Sequence, residues 1–128
     1  MQLLKDCLFV GMGGFIGAIM RYLLTLVPVK LNFPLMTLIV NLSGAVLIGI
    51  IAGAAANMPN INASLVMFLK TGVCGGYTTL STMALDTVNL FKGGHHLSCA
   101  VYVILTVVLC VLGVLLGEFI ASVIFKKA

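Results

Sequence analysis

Four hydroxyls crowd into five positions, Thr78, Thr79, Ser81 and Thr82, within the stretch GVCGGYTTLSTMALD that closes on Asp86. Neutral O–H donors in a row can replace water around a small ion without adding fixed charge. Serine and threonine in membrane helices usually bond their own backbone, and four so close together exceed that habit. Thr79, Thr82, Met83 and Asp86 follow the 0, 3, 4, 7 spacing of one helical face. Gly75-Gly76, just upstream, predict a break that frees backbone groups. At membrane depth such backbone is tolerated only where protein or a water-filled cavity satisfies it, and freed carbonyls suit a monovalent cation.

Other polar residues sit in equally apolar company. Asn41 lies in TLIVNLSGA with Thr37 one turn before it; its amide can bond a neighbouring helix or donate to an anion. Arg21 lies about fifteen residues into the first apolar block, either as a snorkelling interfacial cation or as an attractor of anions. Tyr102, Thr106 and Cys110 recur every four residues, one above another on a helical face. The carboxylates are Asp6, Asp86 and Glu118 alone, all toward predicted span ends. A hydroxyl- and amide-lined route with few acids and a nearby arginine favours an anion over a cation. A proton-coupled exporter of cations would want a carboxylate deep in an early span, and the first span has none.

The elements that must carry these groups follow from composition. The chain has 128 residues, 62% hydrophobic and 8% charged, with mean hydropathy +1.26. Soluble domains carry roughly 25% charged residues, so this chain lacks a water-facing surface. At ~20 apolar residues per helix, it predicts an all-α integral membrane protein: one domain, 1–128, of four transmembrane helices with the third broken. The spans are approximately 6–27, 35–56, 64–91 and 98–125. VPVKLNFP, NMPNIN and KGGHHL mark the loops between them, short enough to predict antiparallel neighbours in chain order. Lys5 followed by CLFVGMGGFIGAIM has the outline of a signal peptide, but apolar character resumes after Arg21 and a retained first span is expected.

Charge and cysteine usage exclude other classes. The seven basic residues are scattered singly apart from Lys126-Lys127, which is no nucleic-acid surface. Lys5, the 56–63 loop and Lys126-Lys127 fall on one side and Lys30 and Lys92 on the other, about three basic residues against two. Topology needs a bias to be fixed, and so small a bias permits both orientations and hence an antiparallel homodimer. Cys7, Cys74, Cys99 and Cys110 fall in apolar runs without a CxxC pair and read as small buried hydrophobes. Gly13 and Gly17, Gly49 and Gly53, and Gly113 and Gly117 have the spacing of close helix packing. GMGGFIG lacks the spacing of a dinucleotide loop and no strand precedes it. His95 and His96 are adjacent in a loop, a solvated turn rather than a metal site, so an enzyme is the weakest reading.

GGFIGAIMRY (13–22), TLIVNLSGAVLIG (37–49) and GVCGGYTTLST (72–82), in that order, resemble the three signature regions of the Fluc/CrcB fluoride channels. The resemblance covers essentially the whole chain. It implies a dual-topology antiparallel dimer in the inner (plasma) membrane, two pores, passive fluoride export and a structural sodium ion at the dimer centre. By position, Asn41 matches the family's pore asparagine and Arg21 its vestibular arginine. Gly75 and Thr78 match the residues whose backbone carbonyls hold the sodium. Ser81 and Thr82 match pore hydroxyls, Asp86 sits where a glutamate is common, and Tyr102, Thr106 and Cys110 fall on the last helix's polar track. Leu80 and Met83 depart from the pattern, for the family typically has phenylalanine at both positions. An aromatic edge is electropositive and a leucine methyl much less so. The departure leaves three outcomes: fluoride permeates without the rings, selectivity or rate is altered, or a paralogous partner supplies them in a heterodimer.

Overall fold

The computed structural model describes residues 1–125; the basic pair Lys126-Lys127 lies outside them. Helix α1 spans Gln2–Thr25, α2 Leu35–Asn57 and α6 His96–Ile124, and each is long and apolar enough to cross a membrane. Proline marks three of the ends. α1 stops before Pro28, Pro34 precedes the first residue of α2, and α2 stops before Pro59, because proline lacks an N–H and clashes inside a helix. The predicted spans agree with these helices to within a few residues.

The third span is built in pieces. Asn62 caps α3 (Ala63–Met67), its Oδ1 accepting from Ser64 N at 2.9 Å and Leu65 N at 3.3 Å. The chain continues as a π-helical segment, Phe68–Cys74, and a single α-turn, α4 (Gly75–Tyr77). After Thr78 and Thr79 it resumes as α5, Leu80–Lys92. The α5 end closes through Gly94 at φ 78°, with His95 N donating to Leu90 O at 3.0 Å, a left-handed closure that glycine adopts without strain.

The break is real but displaced from the glycines. Gly75 keeps helical dihedrals (φ −64°, ψ −37°), whereas Thr78 (φ −78°, ψ 157°) and Thr79 (φ −151°, ψ 112°) are extended. Gly76 is small for another reason: a Cβ there would meet the Gly14 backbone, with Gly14 Cα at 2.9 Å. It pairs with Gly72, four residues earlier, whose Cβ would lie 2.9 Å from Gly13 Cα. The predicted pair Gly13 and Gly17 thus packs α1 against the first half of the third span.

The remaining glycine pairs join α2 to α6. A Cβ on Gly49 would strike the Val114 carbonyl, and one on Gly117 the Val46 carbonyl. The principal neighbours are therefore α1 with span three and α2 with α6, and α1 and α2 touch little. That corrects the expectation of neighbours in chain order: short loops fix antiparallel direction, but small-residue faces choose partners. The buried cluster is modest, Leu38, Met83, Leu90 and Tyr102, while large apolar side chains such as Leu8, Phe15, Leu112 and Phe119 are exposed. All four cysteines are free; Cys74 is buried, but Cys7 faces outward, contrary to its expected burial.

Candidate anion pathway at the helix break

Asn41 holds the break from across the molecule. Its Nδ2 donates to Thr79 O at 3.1 Å and its Oδ1 accepts from Thr79 N at 2.7 Å, so one side chain satisfies both polar groups of an extended residue. Gly44, one turn on in α2, makes this approach possible, since a Cβ there would run into Thr78 Cγ2 and lie 3.1 Å from the Tyr77 ring. With Thr79 N–H given to Asn41, the bond that an unbroken helix would make to Gly75 O is not formed. Gly75 itself lies exposed on the surface of the chain. Arg21 reaches across from α1, its Nε donating to Gly76 O at 3.2 Å, where the end of a helix carries partial negative charge. Both residues serve the backbone of the break, 38 and 55 residues away in sequence.

The hydroxyls sort into separate tasks. Thr78 Oγ1 donates to Cys74 O at 2.9 Å, and Ser43 and Tyr77 share a hydrogen bond of 2.9 Å. Thr79 Oγ1 caps α5 by accepting from Thr82 N at 3.1 Å, and donates to Thr82 Oγ1 at 3.0 Å, with Ser81 Oγ 3.3 Å away. Thr106, predicted to line a track, donates to Tyr102 O of its own helix at 2.7 Å.

Two clefts flank this hydroxyl pair. One, about 370 Å³, has Asn41, Thr79, Leu80, Met83, Thr106 and Cys110 in its walls, along with Thr78 and several aliphatic side chains. The other, about 490 Å³, has Thr37, Thr82 and Asp86 in its walls, below the α1–α2 loop. The Thr79 hydroxyl of the first cleft and the Thr82 hydroxyl of the second lie 3.0 Å apart. Asp86 Oδ2 accepts from Thr37 Oγ1 at 2.8 Å and from Tyr102 OH at 3.4 Å. The three-residue ladder on α6 is thereby divided. Thr106 and Cys110 face the first cleft, whereas Tyr102 is fully buried against Asp86 and the edge-on Phe33 ring, 5.4 Å between centroids. Leu80 is 78% exposed, at the rim of the first cleft, while Met83 belongs to the core at 7%; Ser81 is exposed.

Thr79 is the residue that sequence reasoning underused, although it stood on the predicted face with Thr82 and Asp86. Among the described residues no three His, Cys, Asp or Glu side chains cluster as metal ligands; the oxygen-rich feature is the break itself.

Fold and site together define a multi-pass helical membrane protein whose broken span presents neutral hydrogen-bond donors between two clefts. Residues 8–118 match the family described as CrcB-like protein, Camphor Resistance (CrcB), and the chain belongs to that family. It is 43% identical over 118 residues to a protein of Ruminiclostridium cellulolyticum named fluoride-specific ion channel FluC, covering 90% of this chain and 91% of that one. A protein of the same name from Clostridium novyi is 39% identical, covering 98% of this chain and all of the other. A third, from Chlorobium chlorochromatii, is 42% identical over 116 residues, 89% of this chain and 84% of that one.

Proposed function

We propose that this protein is a passive, selective fluoride channel of the inner (plasma) membrane that exports cytoplasmic fluoride and so confers resistance to it. The observation that carries this reading is the break at Thr78 and Thr79, beside which the Thr79 and Thr82 hydroxyls stand between two clefts. The printed function of the relatives points the same way. Fluoride enters cells as neutral HF and ionises in a more alkaline cytoplasm. An inside-negative potential of 100 mV favours its exit by about 2.3 kcal/mol, a concentration ratio of roughly fifty, so no energy coupling and no enzymatic step are required. A fixed frame of small donors suits an ion that holds its water tightly.

The working unit in this proposal is an antiparallel dual-topology homodimer. The near-balanced basic residues support it, as does the open rim at Leu80. Sodium at the dimer centre would be held by the backbone carbonyls of Gly75 and Thr78. Both fit the role: the Gly75 carbonyl lacks its helical donor, and the extended ψ of Thr78 turns its peptide out of the helix. Bound there, sodium would supply positive charge that holds two breaks together.

Anion release from liposomes containing only this purified protein, followed with fluoride and chloride electrodes, tests the reading. Fast fluoride release without chloride is expected. Leu80 favours one second reading, a family member altered toward another small anion or serving as half of a heterodimer. A well-folded dimer that releases neither ion would select it.

A further inference from the structure

We propose that the Thr79 hydroxyl is the hand-over point for the conducted anion between the two clefts, and that Asn41 is the positioning residue that holds it there. The inference rests on the channel reading and adds to it a residue outside the matched pore set. Thr79 lines the first cleft and Thr82 the second, and their hydroxyls are 3.0 Å apart. Thr79 Oγ1 already accepts from Thr82 N, which anchors the oxygen; its proton alone is free to turn. That proton points to Thr82 Oγ1, with Ser81 Oγ at 3.3 Å as a second acceptor. Turned toward an arriving anion instead, it donates without the side chain moving. The backbone does not move either, because Asn41 ties down both Thr79 N and Thr79 O. Asn41, only 8% exposed, spends its carbonyl and an amide proton on this clamp, which makes it a frame for the donor.

A role for Thr79 as a helix cap alone is the competing account, and conservative variants separate the two in the liposome assay. Thr79→Ser keeps cap and hydroxyl and should stay within about threefold of the parent rate, whereas Thr79→Val should be slower by about tenfold or more. Should Thr79→Val fail to fold, Thr79→Gly replaces it, since glycine is nearly as well tolerated at an N-cap as threonine and offers no side-chain donor. Asn62→Ala removes the other side-chain cap of the same span and should leave flux unchanged. Near-parental flux in Thr79→Val, or an equal loss in Asn62→Ala, overturns the hand-over. For the clamp, Asn41→Leu removes the oxygen that accepts from Thr79 N and should accelerate hydrogen exchange at the Thr79 amide; lost flux with unchanged exchange would make Asn41 a direct ligand instead. A parent protein that moves no fluoride overturns the channel reading and this inference with it, an outcome distinct from a conducting parent matched by Thr79→Val.

Discussion

Asn41 and Arg21 are polar groups whose cost at membrane depth is met by the backbone of a broken helix. Leaving a buried acceptor unmatched costs about 1–3 kcal/mol. Asn41→Asp removes the donor to Thr79 O and sets a carboxylate oxygen against it. Fluoride flux should fall nearly to zero while the proposed dimer, checked by elution volume, still assembles; unchanged flux would remove Asn41 from the pathway. Arg21 has both a cap to serve and a charge to offer. In Arg21→Gln, flux should drop several-fold at low ionic strength, and the gap to the parent should narrow as salt is raised toward ~1 M, where screening reaches 3 Å. A gap that ignores salt would leave Arg21 with the Gly76 carbonyl alone. At this scale residue types were legible in the sequence and partners were not. Thr37, Asp86 and Tyr102 each stood out, but nothing in their spacing joins a hydroxyl and a phenol to one carboxylate oxygen.

Helix ends were legible at the scale of elements because proline, glycine and Asn62 act locally. Helix partners were only half legible. The glycine pairs announced close packing, yet Gly76 reads in the sequence as half of a break and Gly72 has no assigned role there; only the structure shows both packing against Gly13 and Gly14. Substitutions should separate packing glycines from idle ones. In Gly17→Val the new Cβ would meet the Val73 carbonyl and lie 2.7 Å from Tyr77 N, whereas Gly11 has nothing within 4 Å. Overpacking typically costs about 1–3 kcal/mol, so Gly17→Val should lower the thermal midpoint in detergent and Gly11→Ala should not. Equal midpoints would show that α1 yields at this contact.

For the molecule as a whole, the proposed dual topology depends on a nearly balanced set of cations. Lysine at both Met58 and Asn60 would add two charges to the side that already holds Lys5. Cysteine labelling should then find a single orientation, with flux lost because antiparallel pairs no longer form; mixed labelling would show that topology is set by something other than charge. The sequence by itself determined the membrane, the number of spans and the family. A hydrocarbon core demands about 20 contiguous apolar residues per helix, and contiguity is written along the chain. Only the tertiary structure decided where the third span opens. The opening lies at Thr78 and Thr79 because Asn41, 38 residues away, supplies the donor and acceptor that a helix would otherwise provide. α2 reaches that point through the glycine contact with Tyr77 and Thr78. Satisfying a buried peptide is a matter of what lies within 3 Å in space, and distance along the chain does not report it.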